Sequence, residues 1–252
     1  MTQRIALITG GSRGLGRSAA LHLADRGTDI VITYKAAADD ARSLVAEVLA
    51  KGRKAVALPL DVSDLAAFPA FAARLGEELA RVWQRDTFDV LVNNAGTANY
   101  TPIADTTEAT FDELFAVHLK GPYFLTQRLL PRIADGGTII NVSSGLTRFS
   151  APGSSAYAIM KGGLEVFTRY LARELGPRKI TANTIAPGAV ATDFGGGHLR
   201  SDPKLGAQIA AMTALGRTAV AEDIGGAIAA LVEPGCAWIT GQRIEASGGM
   251  LV

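Results

Sequence analysis

The fold is decided by Thr9-Gly10-Gly11-Ser12-Arg13-Gly14-Leu15-Gly16, which joins an apolar run ending at Thr9 to a helix-forming segment beginning at Gly14. Glycines at 10, 14 and 16 let the backbone turn sharply. They also let a diphosphate approach the amides of the helix N-terminus, where the helix dipole favours negative charge. Glycine-rich turns also occur as plain tight connections. The position between the first strand and the first helix favours a nucleotide site.

The same alternation of strand, turn and helix continues along the chain. Seven apolar runs are predicted as strands: Arg4–Thr9, Asp29–Tyr34, Lys54–Pro59, Phe88–Asn93, Thr138–Val142, Ile180–Ile185 and Arg243–Ala246. Six longer segments are predicted as helices: Gly14–Arg26, Ala38–Lys51, Asp64–Arg85, Thr107–Ile133, Ala156–Leu175 and Ala221–Leu231. The strands lack polar alternation, which indicates burial on both faces. The predicted fold is therefore α/β: one doubly wound, parallel, seven-stranded sheet with helices on both faces and ligands beyond the carboxyl ends of the strands.

Residues 1–252 are predicted to form a single domain, because no repeat, low-complexity tract or linker interrupts this pattern. One stretch, Asp193–Leu215, is too irregular to assign. It contains three consecutive glycines immediately before His198. An irregular stretch beside the sixth strand predicts a substrate lid at about residues 193–215.

Composition excludes several classes of function. Hydrophobic residues make up 48% of the 252 residues, which is enough for a sizeable core. The 25 Lys and Arg nearly balance the 24 Asp and Glu, so there is no electrostatic footprint for nucleic acid or an anionic membrane. The single cysteine, Cys236, excludes an intrachain disulfide and a cysteine-rich zinc site. We expect a cytoplasmic protein with no metal, no nucleic-acid partner and no membrane span.

The residues after the second strand indicate which nucleotide is bound. Sites that accept an unphosphorylated ribose usually carry Asp or Glu about 20 residues beyond the glycine turn. Here that place reads Thr33-Tyr34-Lys35, so no carboxylate repels a 2′-phosphate, and Arg13 and Lys35 can both pair with one. The alternative is that Lys35 is an ordinary solvated charge. Arg13, inside the turn, shifts the balance towards NADP(H) over NAD(H).

A second constellation consists of Ser144, Tyr157 and Lys161. Tyr157 and Lys161 are four residues apart in a helical segment, so both side chains leave the same face. A neighbouring ammonium is expected to lower the tyrosine pKa from its reference of about 10 towards neutrality, which suits a general acid/base. Ser144, at the end of the fifth strand, is placed to donate a hydrogen bond to the same substrate oxygen. On its own, a Tyr four residues before a Lys is usually only a helix surface, so the context carries this prediction.

With these motifs in order along its whole length, the chain resembles the short-chain dehydrogenase/reductase family in its compact, Rossmann-type form. Two further motifs carry the resemblance: Asn93-Asn94-Ala95-Gly96 after the fourth strand, and Pro187-Gly188 with Thr192 after the sixth. The resemblance implies cofactor contacts from Thr9, Gly10, Ser12, Arg13, Gly14, Leu15, Gly16, Tyr34, Lys35, Asp61, Val62, Asn94, Ala95, Gly96, Tyr157, Lys161, Pro187, Gly188, Val190 and Thr192.

The resemblance also implies individual roles. Asp61 and Val62 would flank the adenine, Asn94 would support the cofactor and the central strands, and Lys161 would bind the nicotinamide ribose. Val190 and Thr192 would hold the carboxamide. A homotetramer is implied as well, because in this family the fourth and fifth helices and the C-terminal strand pack against other subunits.

One departure from the family pattern lies in the fourth helix. Many members have an asparagine in a Val-Asn-Leu stretch, whose backbone holds a water in a proton relay from the lysine. This chain reads Val117-His118-Leu119 instead. Either the relay persists through His118, whose imidazole has a reference pKa near 6.5, or His118 is a buried, hydrogen-bonded structural residue. His118 is therefore a candidate catalytic residue with an open role.

The substrate pocket is expected to be mostly apolar. Its predicted lining is Ser144, Leu146, Phe149, Tyr157 and Phe194. Such a pocket suits a hydrophobic ketone, an aldehyde or the corresponding secondary alcohol better than a polyanion. Arg148 allows a carboxylate or a thioester phosphate, although a solvated loop arginine is the commoner case.

These residues predict hydride transfer between NADP(H) and a small-molecule carbonyl or secondary alcohol, foremost as a ketone reductase. One alternative is reduction of 3-oxoacyl carrier-protein thioesters in fatty-acid synthesis. An alternative of another class is a nucleotide-sensing binding protein without turnover. The intact set of Ser144, Tyr157 and Lys161 argues against a pure sensor, because a protein that only binds nucleotide does not need all three residues.

Overall fold

The computed structural model describes residues 3–252. Its strands are β1 (Ile5–Ile8), β2 (Asp29–Tyr34), β3 (Ala55–Pro59), β4 (Phe88–Asn93), β5 (Ile133–Val142), β6 (Thr181–Pro187) and β7 (Arg243–Ala246). They form one sheet in the order β3-β2-β1-β4-β5-β6-β7, and every neighbouring pair is parallel. The predicted parallel, seven-stranded α/β sheet is confirmed.

Helices cover both faces of this sheet. They are α1 (Gly14–Asp25), α2 (Ala38–Ala50), α3 (Phe68–Trp83), α4 (Glu108–Phe115), α5 (Gly121–Leu129), α6 (Ser155–Leu175), α7 (His198–Ser201), α8 (Pro203–Ala211) and α9 (Ala221–Leu231). Successive strand residues point to opposite faces, so Ile5 and Leu7 join the core under α3, α5 and α6. Ala6 and Ile8 join the other core, under α1, α2 and α9.

The long helix predicted over Thr107–Ile133 is interrupted. A π-helical turn, Ala116–Lys120, separates α4 from α5. Pro122 explains the interruption: it has no N–H to donate to the carbonyl of His118 four residues earlier, and its ring crowds that carbonyl. The irregular turn contains His118, which stands where the family resemblance leads us to expect asparagine.

Two other boundaries differ from the prediction. β5 begins at Ile133, ahead of the predicted start at Thr138, and its register against β4 shifts between Phe88 and Val90. The segment left unassigned contains α7 and α8, and the Asp202 carboxylate caps α8 by accepting hydrogen bonds from the first-turn amides. Among residues 3–252, no helix combines the length and apolar character that crossing a membrane requires.

Candidate active site

The glycine turn lies between β1 and α1, at the carboxyl end of the sheet. Gly10 has φ +63°, and a Cβ built on it would lie 2.9 Å from the Cα of Ala95. A Cβ on Gly16 would lie 2.5 Å from the side-chain nitrogen of Asn94. Both positions therefore exclude any larger residue. The N-cap residue of α1, Arg13, makes no side-chain capping hydrogen bond, so the first-turn amides of α1 can donate to an anion.

Asn94 and Thr9 fasten the end of β4 to this turn. The Asn94 side-chain amide donates to the carbonyls of Thr9 (2.9 Å) and Gly10 (3.1 Å). In return, the Thr9 hydroxyl accepts hydrogen bonds from the backbone amides of Asn94 and Ala95, both at 3.0 Å. The support of the central strands that the family resemblance implied for Asn94 is thus visible as hydrogen bonds.

Lys35 does not stand alone at the end of β2. Its ammonium lies 2.6 Å from a carboxylate oxygen of Asp61 at the surface. Burial alone would raise the pKa of Asp61, but hydrogen bonds from Lys35 and from Ser63 outweigh it and hold the pKa below its usual value. Residues 33–35 contain no carboxylate, as the sequence shows, but Asp61, which follows β3, brings one to Lys35 through space. Arg13 is exposed and forms no ion pair among residues 3–252.

The structure brings Ser144, Tyr157 and Lys161 together beyond β5. Ser144 lies two residues beyond the end of the strand, and hydrogen bonding with its hydroxyl acts to lower the pKa of Tyr157. Tyr157 and Lys161 lie about one turn of α6 apart and on the same face, with the Lys161 Nζ 5.6 Å from the tyrosine ring centroid. That Nζ donates to the carbonyl of Val142 at 2.7 Å. Both side chains are buried.

The ionisation of this pair differs from the sequence prediction. Burial, with a smaller contribution from Tyr100, raises the pKa of Tyr157 above its ordinary value, and the hydrogen bond with Ser144 only partly opposes this. Burial also lowers the pKa of Lys161 to about 7. The expected lowering of the tyrosine pKa was therefore wrong for this arrangement, because burial outweighs the hydrogen bonding that lowers the pKa of Tyr157.

His118 packs directly against the tyrosine. The two ring centroids are 5.0 Å apart in an edge-to-face arrangement. The Nε2 of His118 lies 2.7 Å from the carbonyl oxygen of Thr97, which assigns the proton to Nε2 and leaves Nδ1 as an acceptor without a partner among residues 3–252. Burial, then the charge of Lys161, lowers the pKa of His118 to about 2 despite the bond to Thr97. His118 is therefore a neutral imidazole.

The remaining pocket residues divide into two groups. Leu146 packs against the small cluster that contains Tyr157, and the Phe194 ring lies 6.2 Å from the Tyr157 ring. Phe149 instead folds back over Gly145, where a Cβ would lie 2.7 Å from its ring. Sequence reasoning missed Tyr100, whose ring reaches the predicted lid at Gly195. Its only sequence signal is an aromatic residue in the loop after β4.

The loop after β6 runs past the end of β7. Gly188 donates its amide to Ala246 at 3.2 Å, and a Cβ on it would meet the Cα of Ser247 at 2.9 Å, so the position requires glycine. Val190 pairs with Ala219 in an isolated parallel bridge. Pro187, Val190 and Thr192 are thereby held beside the carboxyl end of the sheet, on the same edge as Ser144.

Arg148 corrects another expectation. Its guanidinium does not face the pocket as a free anion site but makes two hydrogen bonds, both 2.7 Å, to the carboxylate of Glu245. The pKa of Glu245 falls to about 2, first because of Arg148, with burial opposing and Arg243 and Ser247 contributing further. An Arg engaged in this way is not available to a carboxylate or thioester phosphate of a substrate.

Parallel strands with a glycine turn, a half-buried serine and a buried tyrosine and lysine at their carboxyl ends define a dinucleotide-dependent oxidoreductase. A family model described as "Enoyl-(Acyl carrier protein) reductase" matches residues 10–251. A hydroxynaphthalene reductase-like protein of Metarhizium brunneum is 35% identical over 257 residues, which cover 98% of this chain and 94% of the relative. The chain belongs to the short-chain dehydrogenase/reductase family.

Two solved structures are similar over nearly the whole chain. LugOII is a promiscuous reductase that catalyses keto-reduction at C1 during lugdunomycin biosynthesis. It has a TM-score of 0.94 at 35% identity and covers 100% of this chain and 99% of its own. The angucycline C-6 ketoreductase LanV, with bound NADP, has a TM-score of 0.93 at 34% identity and covers 98% and 95%. LanV is also known in complex with NADP and rabelomycin.

Proposed function

We propose that the protein is an NADP(H)-dependent ketone reductase that prefers NADP(H) to NAD(H) and acts on a hydrophobic, small-molecule ketone. One observation carries the proposal: a buried, protonated Tyr157, hydrogen-bonded to Ser144, lies beside Phe194 and Leu146. That arrangement offers two hydroxyl donors to one carbonyl oxygen inside an apolar surround. The keto-reducing neighbours LugOII and LanV support the same reaction.

The chain's residues fit a dinucleotide phosphate. The uncapped start of α1 offers its amides to the diphosphate, and the close packing at Gly10 leaves the turn free of side chains on that side. Arg13 is exposed beside the turn, and Lys35 lies at the end of β2. A 2′-phosphate would compete with Asp61 for Lys35 and add a second pairing with Arg13. By resemblance, the loop from Pro187 to Thr192 holds the nicotinamide end.

The reaction divides between the cofactor and the side chains. When bound, NADPH supplies a hydride to the carbonyl carbon. Ser144 and Tyr157 donate hydrogen bonds to the carbonyl oxygen, and Tyr157 transfers its phenolic proton to that oxygen as negative charge develops. A pKa above the ordinary tyrosine value keeps the phenol protonated at neutral pH, which is the form that reduction requires. The hydrogen bond from Lys161 Nζ to the Val142 carbonyl holds the ammonium beside the Tyr157 ring.

The aromatic side chains around Tyr157 favour one class of ketone. The ring centroid of His118 lies 5.0 Å from that of Tyr157, and the ring centroid of Phe194 lies 6.2 Å from that of Tyr157. Tyr100, in the loop after β4, lies near the same group. Flat aromatic ketones pack well on such surfaces. A 3-oxoacyl carrier-protein thioester, the alternative substrate, fits less well, since Arg148 is engaged by Glu245 and offers no anion site at the pocket.

Tyr157→Phe tests the proposed chemistry. Removal of one hydroxyl should lower kcat with an aromatic ketone by at least about 10²-fold, because a positioned general acid contributes on that order. The dissociation constant for NADPH, measured by fluorescence titration, should stay within about twofold. Tyr170→Phe, an exposed tyrosine on the same helix, is the matched control and should keep full activity. Near-full activity of Tyr157→Phe would refute the proposal. Absence of turnover in both the wild type and the variant would favour the nucleotide-sensing binding protein.

The assembly and the lid are also part of the proposal. Exposed apolar side chains on α5 and α6, among them Tyr123, Phe124 and Tyr170, support burial of these helices in a homotetramer. Glycines with positive φ at 195, 196 and 197 support a movable start to the lid at 193–215. A cytoplasmic location and a single domain over residues 1–252 stay predictions.

A further inference from the structure

Four charged side chains form one connected cluster behind the Ser144 loop. We call Glu165, Arg243, Glu245 and Arg148 the β7 clamp. Arg243 lies between the two carboxylates, 2.9 Å from Glu165 and 2.8 Å from Glu245. Glu245 in turn receives the two hydrogen bonds of Arg148. Arg243, Glu165 and Glu245 are mostly buried, with side-chain exposures of 23%, 13% and 19%.

The clamp contacts the loop that carries Ser144 at several atoms. The Arg243 guanidinium donates to the backbone carbonyl of Ser144 at 3.3 Å and to the hydroxyl of Thr147 at 3.1 Å. The same carboxylate oxygen of Glu165 accepts hydrogen bonds from the hydroxyls of Ser143 (2.7 Å) and Thr147 (2.8 Å). Ser144 is therefore bracketed on both sides by residues bound to one buried ion pair.

Glu165 matters because of its position in the fold. Glu165 lies on α6, the helix of Tyr157 and Lys161, one turn beyond Lys161. Its bonds to the loop therefore connect the helix that holds the tyrosine to the loop that holds the serine. Arg243 adds a rigid planar fork with donors in three directions, which a flexible lysine cannot match.

The far end of the clamp is fixed in the C-terminal tail. Arg148 donates to the carbonyls of Met250 and Leu251, the latter at 3.0 Å. The tail also pairs with the end of the predicted lid through the Thr213–Met250 bridge. The clamp thus has anchors on α6, on β7 and in the tail, so the Ser144 loop cannot shift without breaking several of its bonds.

We propose that Glu165 and Arg243 are positioning residues that fix the Ser144 hydroxyl relative to the Tyr157 hydroxyl, and so set the rate of proton delivery. The inference rests on the proposed function and adds two residues to it. Neither residue touches the substrate in this account. Both act through Ser144, because their contacts with the loop set the separation between the loop and α6, and the Ser144 and Tyr157 hydroxyls must keep that separation to reach one carbonyl oxygen.

A purely structural role makes a different prediction, and the chain contains a matched control. Arg85 and Asp89 form a bidentate ion pair, with both contacts at 2.9 Å and with side-chain exposures of 24% and 18%. This pair lies at the start of β4, at the amino ends of the strands, whereas Ser144 lies beyond their carboxyl ends. If only general stability matters, Arg85→Met and Arg243→Met should affect the enzyme alike.

The test compares Arg243→Met, Arg243→Lys and Arg85→Met in the full chain with NADPH and an aromatic ketone turned over by the wild type. We expect kcat of Arg243→Met to fall about 10²-fold, as a displacement near 1 Å can cause. The dissociation constant for NADPH should stay within about twofold, and Arg243→Lys should recover part of kcat because it keeps the charge beside Glu165. Arg85→Met should keep kcat within about threefold. A kcat loss in Arg243→Met no larger than in Arg85→Met would overturn the inference.

A second measurement does not depend on turnover. Amide hydrogen exchange of residues 143–149 should accelerate at least about tenfold in Arg243→Met and stay unchanged in Arg85→Met, because only the first releases the loop. Unchanged exchange in both variants would overturn the inference even if the wild type reduces ketones. Faster exchange together with a wild type that reduces no carbonyl would instead refute the proposed function and leave the loop contacts standing.

Discussion

The burial of His118 makes a quantitative prediction about stability and pH. His118 is 1% exposed, and its pKa falls to about 2, first through desolvation and then through the charge of Lys161. In the unfolded chain an ordinary histidine titrates near 6.5. Between these two values only the unfolded state binds the proton, so the stability that the neutral ring contributes is fully present above about pH 6.5 and is lost as the pH falls.

The size of the loss follows from the two pKa values. Each pH unit in this window changes the free energy of unfolding by about 1.4 kcal/mol for one proton. Because the unfolded histidine is already half protonated at its pKa, the loss between about pH 6.5 and about pH 4.5 amounts to about 2 kcal/mol. A loss of that size is a large fraction of the stability of a typical domain.

Urea unfolding across this pH range measures the effect. The difference in unfolding free energy between wild type and His118→Asn should shrink as the pH falls, since the variant lacks the buried ring. His198→Asn replaces an exposed histidine of the same chain and should leave the pH dependence as in the wild type. Protein concentration must be held fixed, because assembly contributes to stability. Parallel pH dependences of wild type and His118→Asn would refute the account of a buried, neutral His118.

The same neutrality bears on the relay hypothesis. Protonation of His118 at neutral pH would cost about 7 kcal/mol, so His118 does not carry a proton as an imidazolium. Its Nδ1, which has no partner among residues 3–252, can still accept a hydrogen bond from a water. A relay in which His118 holds a water therefore stays a prediction. A relay in which His118 itself becomes an imidazolium does not.

Two further predictions concern the cofactor turn and its preference. Lys35→Ala should raise KM for NADPH by about fivefold and leave KM for NADH nearly unchanged, as expected for roughly 1 kcal/mol from an exposed charge pair; equal effects on both would contradict a phosphate contact. Gly10→Ala should weaken NADPH binding more than about tenfold by fluorescence titration, because φ is +63° and the new Cβ would lie 2.9 Å from Ala95. Gly52→Ala, with φ +73° and no atom within 4 Å, is its control and should lose stability without losing binding.

Much of the fold could be predicted because its signals are local. The glycine turn, the apolar strand runs and the helical periodicity each depend on neighbours in sequence. Five of the seven predicted strands match the observed ones within one residue at each end, and β6 ends two residues later than predicted. The start of β5 was missed because Ile133 follows a helix without a long polar interval. α8 was missed although Asp202-Pro203, a capping residue followed by proline, marks its start.

The sequence predicted which side chains lie close together at the candidate site, but not their pKa values or ion-pair partners. Spacing along α6 places Tyr157 and Lys161 on one face, and the turn after β5 brings in Ser144. Their pKa values depend on burial, which residues distant in sequence create. The partner of Arg148 is Glu245, 97 residues away, and no local pattern indicates it. The Lys35–Asp61 contact was hidden for the same reason, because adjacent strands bring it together.

The central claim is that the protein reduces a ketone with NADPH. The most direct measurement is the loss of nicotinamide absorbance with purified protein, NADPH and NADH compared side by side, against aromatic ketones, aliphatic ketones, diketones and 3-oxoacyl thioesters. We expect turnover with NADPH that is fastest on an aromatic ketone and yields the secondary alcohol. NADPH binding without oxidation on any of these compounds, or turnover confined to 3-oxoacyl thioesters, would contradict it.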